Sequence, residues 1–500
     1  SLVIIDPQKN YATTKKQVGY VNRKEATDGV YLELGFKCGL EVHQQLLTKQ
    51  KLFCRCPAGH YQKQGDYDAE VLRHMRPTLS EMGEYDGTAL MEKKTRKNIT
   101  YRIKYLTACT YDVDDTPPFP LNREALDIAI EISLLFKQHL VGELHITRKQ
   151  YLDGSIPTGF QRTAIVGIEG EIPLKKKKVR LIQLSIEEDS CREVSDIGHE
   201  RIYTTDRLGM PLIETVTYPE MFTPDEAAEA GQYIRYATRS TGKVRTGIGA
   251  TRQDVNVSIT GGTRIEIKGV PQITHIPELT HNEAFRQKAL LLIREELKDK
   301  RDPSTLRQGS GQASLRAGIK DIKDWKIDWK EIGVFNEKKL IAVNLPHFAG
   351  ILSFFTQPGQ CFVSEISDRL KVIACLEKPN MICSEEEAGT ARHAPTIEWE
   401  NIRQKLKSNK DDAQIIFWTT DDDLKTALET IEERCQMAFA GVPNETRRAL
   451  LNGTTIFERV LPGADRMYPD TDSAPIAITD AMIAKAKAAL PLEIKAQMER

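Results

Sequence analysis

Glu41 and His43 stand two residues apart in "KCGLEVHQQL", Lys37 to Leu46. Read as a strand, the stretch puts Leu40, Val42 and Leu46 on one face, with Gln44 breaking the pattern, and Glu41, His43 and Gln45 on the other. A half-exposed strand with its polar side in water has this alternation. So does a strand that aims a carboxylate and an imidazole at one cation or phosphate. Acids recur at the ends or along one face of other apolar strands: Glu187-Glu188-Asp189 after "LIQLSI", Glu214 in "MPLIETV", and Asp254 and Glu266 in "DVNVSITGGTRIEIK". Carboxylates from separate strands can assemble a Mg²⁺ site, because Mg²⁺ takes hard oxygen ligands and keeps water and phosphate oxygens in its shell. One histidine among acids is compatible with Mg²⁺ or Mn²⁺ and unusual as the sole imidazole of a zinc site. Arg252, Arg264 and Lys268 are placed to meet phosphate. No Walker loop or dinucleotide fingerprint is present, so a nucleotide site here must be built on a sheet.

Cysteine offers a weaker signal. Cys54 and Cys56 lie one residue apart in "FCRCP" and Cys109 in "LTACTYD", three thiols with no fourth partner at finger spacing. Zinc is therefore not expected. The other cysteines, Cys38, Cys191, Cys361, Cys375, Cys383 and Cys435, read as small buried hydrophobes.

These residues need a frame to hold them. The 500 residues are too many for one core, so two to four domains are expected. Hydrophobic residues make up 40% and charged residues 28%, the balance of a globular protein. No segment reaches the length of a membrane span, and scattered cysteines suit a reducing cytosol. A net charge of −1 argues against a histone-like or repressor-like binder but leaves room for an enzyme holding RNA with a local patch. "KKKK", Lys175 to Lys178, is such a patch, or a solvated hairpin tip.

Residues 1–120 read as short strands and loops, with "NITYRIKYL" extended. The spacing predicts a helix over Asn122 to Leu140 and a second one capped by Thr223, opened by Pro224 and ended before Gly242. In the hairpin that follows, a Thr260-Gly261-Gly262 loop sets Asp254 opposite Lys268 and Asn256 opposite Glu266. A helix leads out from about His281. The texture then changes, and roughly 290–435 reads as a compact α/β module inserted into the first domain.

The motifs "GLEVHQQLLTKQKLFCRCP", "IEEDS", "DRLGMPLIETVTYPE", "RQDVNVSI", "GTRIEIKGV" and "LPGADRMYPDTDSAPI" resemble the B/E subunits of tRNA-dependent amidotransferases, and the inserted module places the chain nearest their archaeal E branch. The resemblance covers nearly all of the chain. It implies an α+β multidomain protein: a cradle-type domain of mixed and antiparallel sheets over 1–289, an insertion over 290–438 similar to that of bacterial-type aspartyl-tRNA synthetases, a cradle return over 439–477, and the truncated start of a helical domain over 478–500. It implies a cytoplasmic ligase that binds glutamyl-tRNA(Gln) and phosphorylates the glutamate γ-carboxylate with ATP and Mg²⁺. Ammonia delivered by an asparaginase-like D subunit, in a heterotetramer, then yields glutaminyl-tRNA(Gln). Catalytic roles fall on Glu41, His43, Glu188 and Asp254. Metal ligation falls on Glu41, His43, Glu187, Glu188 and Glu214, with Glu188 favoured over Glu187. Nucleotide or substrate contacts fall on Arg252, Asn256, Glu266, Lys268, Arg466 and Tyr468. Ala250 departs from the family's usual Ser or Ile, and the full cysteine quartet of some B subunits is absent. Two other classes remain open: an RNA-binding subunit without catalysis, against which clustered carboxylates speak, and an aminoacyl-tRNA synthetase, for which no nucleotide signature is found outside the insertion.

Overall fold

The computed structural model describes residues 5–79, 83–301, 321–386, 395–461 and 467–491. The chain is a mixed α+β protein that divides into two units. One comprises residues 1–36, 258–265 and 281–459, the other residues 37–257, 266–280 and 460–500. No helix among the described residues is long and apolar enough to cross a membrane.

The second unit is organised by one large sheet. Its strands are β1 (Lys37–Gln45), β2 (Ile146–Gln150), β3 (Phe160–Ile168), β4 (Lys178–Glu188), β5 (Pro211–Thr217), β6 (Thr251–Ser258), β7 (Ile265–Val270) and β8 (Met467–Pro469). They lie side by side in the order β7-β6-β1-β5-β4-β3-β2-β8. Every one of the β1–β5, β5–β4, β4–β3, β3–β2 and β2–β8 pairs is antiparallel. Leu40, Val42, Leu184, Ile186, Ile213, Val255 and Ile267 are buried along these strands. A smaller sheet carries the Asn98–Ile103 strand, whose Ile99, Tyr101 and Ile103 form a separate core with Tyr203 and Leu208.

Two helices accompany the sheet, α1 (Arg123–Leu135) and α2 (Pro224–Ser240). Both start where their caps dictate: Asn122 accepts from Ala125 N at 3.2 Å and Thr223 from Glu226 N at 3.2 Å. The sequence predicts α1 running to Leu140, but it ends five residues earlier. Lys137 takes a positive φ of 56°, which closes the helix, and His139–Leu140 joins β3 as a short strand. The helix expected from His281 begins at Ile276.

In the first unit, strands Asp328–Phe335, Lys338–Leu345, Ala413–Thr419 and Met381–Cys383 form an antiparallel sheet in that order. Leu340, Ala342, Ile382, Ile402, Leu406, Ile416 and Trp418 pack into its core. Helices Phe362–Ile373 and Asp421–Ala440 pack together. Beside them lies a fully buried ionic network. Arg286 donates to Glu283 (2.9 Å), to Glu365 (2.8 Å) and to Glu445. Arg369 donates to Glu445 at 2.9 Å, and Arg447 reaches Glu445 at 3.1 Å and Glu365 at 3.3 Å. Arg434 joins more loosely, 3.7 Å from Glu365, with none of its three nitrogens in a hydrogen bond.

Candidate metal and nucleotide site

The large sheet's register decides which acids meet. Residues paired across antiparallel strands share a face. His43 pairs with Glu214 and Leu212 with Glu187. Glu187 pairs in turn with Thr163, and Gln161 with Lys149. Glu41, His43, Glu214, Glu187, Thr163 and Lys149 therefore line one face across β1, β5, β4, β3 and β2. Distances agree. His43 Nε2 lies 3.0 Å from Glu214 Oε2 and 3.5 Å from Glu187 Oε1, and its Nδ1 is 4.0 Å from Asp254 Oδ2. Glu187 Oε2 is 3.4 Å from Lys149 Nζ and accepts from Thr163 Oγ1 at 3.3 Å. On the hairpin side, Lys268 Nζ lies 3.9 Å from Asp254 and 3.5 Å from Glu266.

Two donor groups result, His43–Glu187–Glu214 and Glu41–Asp254–Glu266, each with donor atoms within 4.8 Å of one another. Five carboxylates face one imidazole and two lysines. Burial alone would discharge His43, but Asp254, Glu214 and Glu187 outweigh it and push its pKa up to about 10. Burial, then Glu214, Glu266 and Asp254, push the Glu41 carboxyl up to about 8. Glu187 is also raised, chiefly by burial. Glu214 is held low despite burial, by Lys149 and then His43, and Asp254 by Lys268 and His43. His43 Nδ1 is buried without a hydrogen-bond partner. An acid-rich, oxygen-dominated set with one orphaned imidazole nitrogen fits a hard divalent cation.

These shifts carry a sign. Below pH 8 Glu41 holds a proton that a cation must displace, and so does His43. Mg²⁺ affinity is expected to rise between pH 6 and 9, by up to about tenfold per pH unit for each proton released. Calorimetric titration in buffers of different ionisation enthalpy will count the protons. A pH-independent affinity would place the cation elsewhere. Without cation, Glu41 favours the folded state below the unfolded pKa of about 4.3, and this contribution is lost as pH rises toward 8.

Not every sequence-predicted residue is here. Glu188 pairs with Pro211, one residue out of phase with Glu187, and so faces the other side of the sheet. It accepts there from Tyr111 OH and from Arg162 N at 3.0 Å. Arg162 ties it to Asp470 (3.0 Å) and Asp472 (3.4 Å). Tyr468 pairs with Arg148 and joins the same opposite face; its hydroxyl donates to Leu79 O at 3.1 Å. Arg252 reaches Asp189 at 2.9 Å, and Asp189 also accepts from Gln45 at 2.8 Å. Burial opposes ionisation of Asp189, yet Arg252 and Arg207 hold its pKa low. Asn256 lies two residues from Asp254 with a buried Oδ1 that has no partner. Arg466 lies outside the described residues.

Lys149 was missed by sequence reasoning. "ITRKQ" carries no signal of its own, because Lys149 meets Glu187 only through the β2–β3–β4 register. Asp112 was also missed, although it lies three residues after Cys109. Cys54, Cys56, Cys109 and Asp112 gather their donor atoms within 4.8 Å and can hold a metal ion, so the fourth donor absent from the spacing is a carboxylate. Asp112 Oδ2 accepts from Cys109 N at 3.1 Å and lies 3.6 Å from buried Lys51 Nζ. Thiols of Cys54 and Cys56 hydrogen-bond Cys109 and lower its pKa. Iodoacetamide at neutral pH is expected to alkylate Cys109 ahead of the other cysteines, and added Zn²⁺ to protect it, as read by peptide mass mapping. Equal labelling of Cys361 or Cys56 would count against a thiolate at Cys109.

Known proteins share this sequence along most of its length. The family model described as the GatB/GatE catalytic domain matches residues 36–484. The chain is 39% identical over 482 residues to the E-type glutamyl-tRNA(Gln) amidotransferase subunit from Methanocaldococcus jannaschii, covering 94% of this chain and 73% of that one. The proteins of the same name from Sulfolobus acidocaldarius and Methanopyrus kandleri are 38% and 39% identical, each match covering 92% of this chain and 71% of the relative.

Proposed function

Because the chain belongs to the GatB/GatE catalytic-domain family, we propose that it is the E-type component of a glutamyl-tRNA(Gln) amidotransferase, an ATP-dependent ligase acting in protein biosynthesis. The observation that carries this reading is the convergence of His43 with Glu41, Glu187, Glu214, Asp254 and Glu266 on one face of the sheet. A carboxylate is a poor acyl donor, because its leaving group would be oxide. In the proposed reaction the γ-carboxylate oxygen of tRNA-bound glutamate attacks the γ-phosphorus of ATP, and the bond to ADP breaks. Ammonia then attacks the acyl carbon, phosphate departs, and glutaminyl-tRNA(Gln) results.

Mg²⁺ held by His43 and these carboxylates would neutralise phosphate charge. The chain's own residues position the rest. Lys149 and Lys268 place fixed positive charge at two edges of the acid cluster. His43 holds Glu214 by their 3.0 Å contact. Asp189, which accepts from Gln45 and Arg252, fixes the Arg252 guanidinium near Asp254 and Glu187, where it would meet phosphate. Binding energy in such a site acts mainly through positioning.

The same reading assigns an asparaginase-like D subunit as ammonia donor, glutamyl-tRNA(Gln) as substrate and the cytoplasm as the site of action. It assigns residues 290–438 to an insertion like that of bacterial-type aspartyl-tRNA synthetases, set in a cradle domain of 1–289 and 439–477, with a helical domain opening at 478. The self-contained four-stranded sheet between Asp328 and Thr419 supports an insertion.

The test is direct. The chain is incubated with glutamyl-tRNA(Gln), ATP, Mg²⁺ and an ammonium salt. ADP release that depends on the glutamyl group, with formation of glutaminyl-tRNA(Gln), is expected. Release that ignores the aminoacyl group would defeat the proposal, and ATP–pyrophosphate exchange would point to a synthetase.

A further inference from the structure

A groove of about 550 Å³ lies on the second unit between α2 and the hairpin that leads into β4. Glu229, Gln232, Tyr233 and Tyr236 line it from the helix, Lys175 from the hairpin, and Ile273 from the segment after β7. Tyr236 is 48% exposed at the rim of the groove. Around the groove, cations outnumber its one lining carboxylate, Glu229, which accepts from Lys175 N. Lys177 pairs with Glu226 and Lys178 with Glu171 at 2.8 Å. The ammonium groups of Lys175 and Lys176 have no such partner among the described residues. On α2, Arg235 and Arg239 stand four residues apart, where like charges on one helix face repel. Neither is ion-paired among the described residues. Arg239 Nε is buried without a hydrogen-bond partner, and burial followed by Arg235 lowers the Arg239 pKa. The chain carries a net charge of only −1, so these cations are a local concentration rather than a general background.

An aromatic face at the rim of a groove, flanked by cations lacking counter-charges, is the arrangement that takes an unpaired base and its neighbouring phosphates. We infer that this α2–hairpin surface is an RNA-binding surface, in which an unpaired nucleotide stacks on Tyr236 while its phosphodiester chain runs over Arg235, Arg239, Lys175 and Lys176. It rests on the proposed function, which supplies an RNA substrate, and it places part of that substrate's grip on a surface separate from the acid cluster. Phosphate would relieve the Arg235–Arg239 repulsion.

The experiment uses the full chain and a tRNA(Gln) transcript, with binding measured by fluorescence anisotropy from 50 to 300 mM salt. The Arg235→Gln/Arg239→Gln double variant is expected to lose about tenfold in affinity and to flatten the salt slope by about one to two. Tyr236→Ala is expected to lose about tenfold with an unchanged slope, and Tyr236→Phe to retain wild-type binding. Thermal unfolding of each variant confirms the fold, and Tyr236→Phe serves as the structurally silent reference. Wild-type affinity and slope in the double variant and in Tyr236→Ala would overturn the inference. So would displacement of the RNA by poly-glutamate at equal charge concentration, which would make the surface an acidic-protein site. Glutamyl-tRNA-dependent ADP release by the wild-type chain keeps the two questions apart. If the wild type turns over while the variants bind tRNA normally, only this surface fails. If the wild type binds no tRNA, the proposed function fails with it.

Discussion

Glu187→Gln is expected to lower the rate of phosphoryl transfer by about three orders of magnitude or more while changing tRNA affinity by less than about twofold. The substitution keeps volume and removes one charge from the group that His43 and Glu214 complete. Amide oxygen is a poorer Mg²⁺ ligand than carboxylate, and the negative charge 3.4 Å from Lys149 would be lost at the same time. Glu188→Gln is the internal control. Its side chain faces Tyr111 and Arg162 on the other side of the sheet. Burial first, partly offset by Arg162 and Tyr111, pushes its carboxyl up to about 7. Its amide variant should cost thermal stability while leaving Mg²⁺ affinity within about threefold of wild type. Single-turnover transfer from labelled ATP and calorimetric Mg²⁺ titration separate the two. A Glu188→Gln variant that loses Mg²⁺ binding while Glu187→Gln keeps it would reverse the assignment.

The second large effect is on stability. Arg286→Met is expected to cost about 3–5 kcal/mol, because the arginine is the shared partner of Glu283, Glu365 and Glu445 in a site without water access. Arg434→Met should behave differently. Arg434 is fully buried, makes no hydrogen bond and stands 3.7 Å from Glu365. Burial pushes its pKa down to about 10, so its charge is held at a cost. With Arg286, Arg369, Arg434 and Arg447 facing Glu283, Glu365 and Glu445, removing Arg434 balances the charges. Its loss should lie within about 1 kcal/mol of neutral, with methionine filling the space over Phe362. Urea titration of both variants checks this. Equal destabilisation would mean that charge count does not govern the network.

Much of the cluster can be read from alternation. Glu41 and His43 share a face because strand periodicity is two, and Asp254 with Lys268 follows from the hairpin. The caps of α1 and α2 are local chemistry and were legible as such. Glu187 against Glu188 was not, because the choice turns on which residue pairs with Leu212, a partner 25 positions away. A slip of one residue turns every side chain to the opposite face. Lys149 is further out of reach, since two strand registers separate it from β4. The end of α1 is not legible in the sequence, because helical spacing continues past Lys137, where the backbone turns left-handed.

The buried ionic network also constrains the order in which the protein can be made. Arg286 contacts Glu445, 159 residues later in the chain. At about 5–20 residues per second, a ribosome needs roughly 8–30 s to deliver that partner after Arg286 emerges. During that interval the guanidinium has Glu283 alone, one helical turn away, and Glu365 later. The ions cannot be desolvated until the last carboxylate arrives, so the first unit cannot close around them while its chain is still being translated. Synonymous codons that slow synthesis between Arg286 and Glu445 should therefore lengthen exposure of an incomplete core, with aggregation of nascent chains as the visible result.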